Sequence, residues 1–310
     1  MAYQYGQANT AKDLLDALRL FLISDGWTVN AYEPASTYQW LSVSKNGYYF
    51  NLIANNANEH ILSRGATGFD SGQAYNAQPG MRTDTWTHCN YLWAPFTSHH
   101  FFSGDTYFHV VIEESAKYFR HFGCGVLDKV GSYDGGEYCY GTCLYSKNTT
   151  WDEIHPDHNY PFSIVGTTTN SMNLRGTAVR CPEIALDASG WIFDTLKSLA
   201  LKRGNLNPGY KAYHTENITV QLFLRAPNTF NGEVPLVPLY FHAGVSNTRI
   251  AMLGTVKDIR QVKLNNYFGG PDVLTIGSDE WYIFPVLCRT YASSTTFYSS
   301  TYGLALRKNV

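Results

Sequence analysis

Charge is scarce in this sequence. Asp, Glu, Lys and Arg make up 15% of the 310 residues, where an ordinary soluble domain carries about a quarter. The formal net charge is −2 and the 23 basic residues form no run. A nucleic-acid binder needs a clustered positive face, so no nucleic-acid partner is expected. No apolar stretch is long enough to cross a bilayer, so no membrane partner is expected either. The segment Met1-Ala2-Tyr3-Gln4-Tyr5 has neither a basic region nor an apolar one, and no secretory leader is read there. A protein made in a cytoplasm follows from that reading. The six cysteines are then expected as free thiols rather than as a disulfide framework. Fixed-period repeats, heptads and low-complexity blocks are missing. So are the phosphate loop, the dinucleotide fingerprint, the His-Glu-x-x-His helix and the Gly-x-Ser-x-Gly elbow. The expectation is a non-enzyme without a cofactor.

What is present is aromatic. Phe, Trp and Tyr reach 15%, with 23 Tyr, too many large side chains for a disordered chain. Tyr, Asn, Ser, Thr and Gly stand where Lys and Glu usually sit. Such a surface suits contact with other proteins; equally, many of the tyrosines can line β-sheets.

Local patterns define the elements. Thr10 is a candidate N-cap answered by Asp13. Leu14, Leu15, Leu18, Phe21 and Leu22 recur at helical spacing, and Gly26 stands where a left-handed residue ends a helix. A strand starts at Trp27. Tyr38 to Ser44 and Tyr48 to Ala54, joined through Asn46-Gly47, read as a hairpin. Residues 1–55 are thus a helix-plus-hairpin unit and 56–310 a β-rich body, with one continuous domain as the alternative. From Asn55 to Phe102 periodicity fades, and Gly65, Gly68, Gly72, Pro79, Gly80 and Pro95 predict long ordered loops. Further strands are expected at 107–112, 118–127, 137–145, 217–225, 237–242, 250–253, 259–262 and 281–287, with a second helix around 191–201. The fold class is α+β and β-rich: antiparallel sheets or a β-sandwich, an N-terminal helix and long ordered loops.

Three clusters could carry chemistry. Cys139, Cys143, His155 and His158 have nearly the spacing of a zinc site, whose tetrahedron takes S and N ligands. The two His lie one residue closer than usual, and Pro156 between them prevents a regular helix; two small buried hydrophobes and two loop histidines read as well. Cys89 near His88, His99 and His100 suggests a thiolate with a base, but buried structural Cys is commoner. Glu113-Glu114 and Asp152-Glu153 could supply carboxylate pairs for glycoside hydrolysis, yet neighbours along a strand point to opposite faces.

Four stretches together resemble a known group. They are Leu14-Leu15-Asp16-Ala17-Leu18 with Asp25-Gly26-Trp27; Thr67 to Gly80; Phe119 to Gly125 with Gly135-Gly136-Glu137-Tyr138; and Thr275-Ile276-Gly277 with Trp281 to Pro285. The combination resembles the uncharacterised structural proteins of tailed-bacteriophage virions, from tail, baseplate or neck and collar modules. The resemblance implies a homo-oligomeric subunit in a symmetric ring or sleeve, with other phage structural proteins as partners. It implies assembly in the host bacterial cytoplasm and residence in the virion. A cell-wall hydrolase carried on the particle and a receptor- or carbohydrate-binding tail protein are the alternatives. The expected contact loop runs from Gly65 to Met81, with Phe69, Tyr75, Asn76 and Gln78 as its interface residues. The bland alternative is a loop packed only on its own subunit.

Overall fold

The N-terminal helix forms as its local signals dictate. Helix α1 spans Ala11–Ser24; the Thr10 hydroxyl accepts from the Asp13 backbone N–H at 3.1 Å, and Asp25 caps the other end. Gly26 follows at φ +80, a conformation with no Cβ penalty for glycine. Ala11, Leu14, Leu15, Leu18, Phe21 and Leu22 are buried along one stripe.

The computed structural model describes residues 2–34, 38–57, 60–82, 87–90, 92–115, 118–142, 177–185, 188–193, 235–246, 249–264, 271–289 and 297–308. Among these residues the chain is β-rich, with one helix and three antiparallel sheets. The front sheet contains β2 (Thr28–Pro34), β3 (Gln39–Lys45), β4 (Tyr48–Asn55), β5 (His60–Ala66) and β6 (Thr87–Asn90), paired in that order. Its β3–β4 turn is Asn46-Gly47, both at positive φ (52 and 82), the conformation a two-residue hairpin of the right twist demands.

The central sheet has seven strands. They are β1 (Ala2–Ala8), β7 (Phe96–Ser103), β8 (Tyr107–Ser115), β9 (Tyr118–Val126), β11 (Glu137–Gly141), β12 (Thr177–Arg180) and β13 (Trp191–Phe193), in that spatial order. The back sheet runs β10 (Asp128–Lys129), β15 (Arg249–Lys263), β18 (Phe297–Lys308), β17 (Asp279–Arg289), β16 (Asp272–Ile276), with β14 (Val237–Ser246) also paired to β15.

Strand alternation sends the central side chains into two cores. Phe101, Phe108, Val110, Ile112, Phe122, Cys124 and Cys139 pack toward α1 and the front sheet, against Leu15, Leu18, Phe50 and Leu52. Their neighbours Phe102, Val111, Phe119, Tyr138, Tyr140 and Val179 face the back sheet, against Phe241, Val256, Ile259, Phe284 and Leu306. The central sheet is therefore buried on both faces, and its strands have lost the polar–apolar alternation of a half-exposed sheet.

Several expectations change. The stretch from 55 to 102 holds β5, β6 and β7 as well as loop. The second helix is not where its start was expected: Trp191–Phe193 is strand, and 194–201 lies outside the described residues, as does 217–225. The expected strands 250–253 and 259–262 are one strand, β15, interrupted where its partners change: Thr255 pairs Asp128 of β10, and Ile259 pairs Leu306 of β18. Asp258 occupies the break at φ 53, a left-handed conformation that Asp tolerates better than most residues. Strand ladders cross residue 55, since β1 pairs β7 and β4 pairs β5.

Candidate functional site

The 65–81 segment is built from its base upward. Gly65 and Ala66 complete β5. A Cβ on Gly65 would come within 2.2 Å of the Trp191 ring, so glycine lets β13 close over the front sheet. The Trp191 indole N–H donates to the Gly80 carbonyl at 3.0 Å. Across the mouth of the loop, Thr67 N–H donates to the Pro79 carbonyl at 2.8 Å. The two ends thus meet, giving a compact Ω-shaped loop.

Gln78 holds the interior. Its amide nitrogen lies 3.1 Å from the Asp70 carbonyl, 3.0 Å from that of Gln73 and 3.3 Å from that of Ala74, while its oxygen accepts from Asp70 N–H at 2.9 Å. Expected as a contact residue, Gln78 is instead only 3% exposed and is engaged within the loop. A buried amide needs such partners, and here the loop's own backbone supplies them.

Phe69 and Tyr75 anchor the loop to the outer face of the front sheet. The Phe69 ring lies 6.2 Å from Trp40, and Tyr75 lies 4.7 Å from Tyr38 and 6.4 Å from Trp40. Met81 reaches the same face, 3.6 Å from the Asn51 amide, whose oxygen accepts from the Trp40 indole at 3.2 Å. Asn76 is exposed, as are residues 70–74. Of the four expected interface residues, the structure therefore turns Asn76 outward, half-buries Phe69 and Tyr75, and encloses Gln78.

Behind the central sheet, histidines bridge to the back sheet. His109 Nε2 lies 3.3 Å from the Lys257 carbonyl, and His121 Nε2 lies 3.2 Å from that of Pro285. A carbonyl only accepts, so both rings carry their proton on Nε2. His109 Nδ1 is then an acceptor, and Tyr140 donates to it at 3.2 Å. His100 Nδ1 pairs with the Tyr3 hydroxyl at 3.0 Å. Burial lowers all three, His109 to about 3 and His100 and His121 to about 4, because a charged ring is poorly solvated there. At the β15 break, Tyr107 donates to the Asp258 carboxylate, which also holds Arg307 at 2.5 Å. Burial, then the Asp258 charge, drives the Tyr107 hydroxyl well above its ordinary range. His109, His121 and Tyr107 join sheet to sheet as clamps, while His100 is tied to Tyr3 of the neighbouring strand in its own sheet.

On the front-facing side, Arg120 and Glu114 form an ion pair at 3.2 Å with both side chains fully enclosed. Arg120 also lies over the Trp93 ring at 5.3 Å. The other member of the Glu113-Glu114 pair accepts from Ser98 Oγ at 2.9 Å, so the two carboxylates are separately engaged. Cys89 and Cys139 are buried in the front core, and Cys139 stands beside Cys124 across the β9–β11 pair. Cys143, His155 and His158 lie outside the described residues, as do Asp152 and Glu153. Among the described residues no group of three or more His, Cys, Asp or Glu side chains is placed to hold a metal ion. No helix among them is long and apolar enough to cross a membrane.

Sequence reasoning missed the Trp191–Gly80 latch, the Asp258 corner and the Arg120–Glu114 pair. The first two join residues far apart in the chain, and the third pairs neighbours across the β8–β9 hairpin whose burial only the surrounding layers decide. No protein-family model matches the chain, and no curated protein matches it.

Proposed function

We propose that the chain is a structural subunit of a tailed-phage virion, working through protein–protein interfaces in a symmetric ring or sleeve at the neck, collar or tail baseplate. The observation that carries this reading is the pre-ordered Ω-loop. Its ends are tied by Thr67 to Pro79, its interior by Gln78 and its underside by Phe69 and Tyr75 on Trp40. A loop held this way has already lost its conformational freedom, so docking Asn76 and its exposed neighbours costs little further entropy. The three-sheet body behind it, cross-linked by polar clamps, supplies a rigid support of the kind a load-bearing subunit uses. The resemblance to virion proteins supplies the setting, and closed symmetry the way copies repeat.

Mass photometry with negative-stain imaging of the purified chain tests the reading. A ring-shaped oligomer that co-purifies with virions is expected; a stable monomer missing from virions would sink it.

A receptor- or carbohydrate-binding tail protein is the second reading. It is favoured by Tyr5, 58% exposed on the edge strand β1, in a row with Tyr3, whose ring lies 5.2 Å from Tyr282. Lys308 sits over the rings of Tyr3 and Tyr282. Retained glycan binding that falls on Tyr5→Ala would favour this reading.

A further inference from the structure

The front core holds a pair of cysteines that the register brings face to face. Cys124 of β9 is the direct partner of Cys139 of β11. Antiparallel partners alternate between hydrogen-bonded and non-hydrogen-bonded pairs. Leu127 N–H donates to the Gly136 carbonyl at 2.9 Å, and Thr142 N–H to the His121 carbonyl at 2.8 Å. Those two contacts fix the parity from both ends of the ladder and make 124/139 a non-hydrogen-bonded pair. Such partners have Cα atoms about 4.5 Å apart with side chains on the same side, within the range a disulfide spans. Both thiols point into the front core, both are fully buried, and the Cys124 thiol donates to the Cys139 sulfur.

Cys89 and Cys181 are worse placed, and Cys288 lies on β17 of the back sheet, where its register partner is Tyr298. Cys89 lies on β6 of the front sheet, where its register partner is Ile61, so no ladder sets it opposite either thiol. Cys181, after β12, belongs to the back core and donates to Glu183 at 3.5 Å.

We propose that Cys124 and Cys139 are a modification site, converted by a small disulfide oxidant to an intramolecular cross-strand disulfide in the folded protein. The step is thiol–disulfide exchange. One cysteine, as thiolate, attacks the oxidant R–S–S–R and releases R–S⁻. The second cysteine then attacks the mixed disulfide, forming the protein S–S bond and releasing the other R–S⁻. Each cysteine gives up one proton and one electron, and two R–SH molecules carry them away. The reaction is slow, since the attacking species is the thiolate and burial holds the Cys124 thiol above its ordinary range. The site is independent of the virion reading, but it fits a protein that folds among reducing thiols and later meets an oxidising medium.

The test uses the full reduced chain incubated with excess oxidised glutathione, then blocked with iodoacetamide in denaturant and mapped by mass spectrometry. Two of the six thiols should disappear into one peptide pair joining Cys124 to Cys139, restored by dithiothreitol. The Cys89→Ser protein should form the same link, and Cys139→Ser should not. Six alkylated thiols, stable glutathione adducts at Cys124 or Cys139, or a link through any other pair would overturn the proposal.

Discussion

The two faces of the central sheet are made from the same strands and behave as different materials. Toward the front sheet the contacts are largely Leu, Phe, Val and Ile, with the Arg120–Glu114 pair enclosed at one end. Toward the back sheet three histidines, Tyr107 and the Asp258–Arg307 pair lie among the apolar groups, and His109, His121 and Tyr107 reach the opposite layer by hydrogen bonds. An apolar face adheres in proportion to the area buried and is indifferent to direction. A polar clamp holds one register and depends on protonation. The front interface therefore supplies bulk stability, and the back interface fixes position.

The largest effect is expected at the polar exception in the front core. Glu114→Ala removes the carboxylate that pairs with the fully enclosed Arg120, and breaking a buried pair on one side costs about 3–5 kcal/mol. Urea unfolding would read it; a loss under about 1 kcal/mol would mean that the pair is not enclosed in solution.

Phe101 and Phe102 compare the faces directly, being sequence neighbours, fully buried and oppositely directed. Truncating either to Ala should cost about 3–5 kcal/mol. A single sharp transition in both variants means that the three sheets unfold together. A broadened or two-step transition in Phe102→Ala alone would show the back sheet detaching first.

Acid sharpens the contrast. In the unfolded chain, histidines take up protons below about pH 6.5. In the fold, His109 does so only near 3, and His100 and His121 only near 4. Between those limits the unfolded state binds more protons, so stability falls as pH falls and levels off below the folded values. Each ring contributes a loss of about 2 kcal/mol near pH 5. His99, stacked on Phe101 on the front side and lowered to about 4, adds a single share there. Replacing His109 and His121 by Gln should flatten the slope of stability between pH 7 and 5 more than His99→Gln does. An equal or smaller flattening would remove the distinction between the faces.

The smallest effect lies at the helix start. Thr10→Ala deletes the hydroxyl that accepts from Asp13 and should cost about 1 kcal/mol at any pH in that range. Thermal melts at pH 7 and 5 would show the same decrement.

Legibility followed the range of the determining interactions. The helix and the β3–β4 hairpin could be read because Thr10, Gly26 and Asn46-Gly47 act within a few residues of where they stand. Strand β7, Phe-Thr-Ser-His-His-Phe-Phe-Ser, could not. His99 and His100 mimic polar surface positions, yet both are enclosed, and a sheet covered on both faces shows no alternation. The Gly65–Met81 loop was recognisable as ordered loop, but Gln78 looked like an offered side chain because nothing local reveals that its partners are the loop's own carbonyls.

By itself the sequence determined the fold class, the helix with its caps, the tight hairpin and a chain able to build extensive aromatic cores. Those properties depend on backbone preferences and on hydrophobic content, both readable residue by residue. Only the tertiary structure decided that the central sheet is buried twice and that its histidines act as clamps. It alone set Asp258 where β15 changes partners and Cys124 against Cys139. The reason is physical: whether a polar side chain is solvated, enclosed or paired depends on which distant strand lies opposite, and strand pairing is a property of the packed layers.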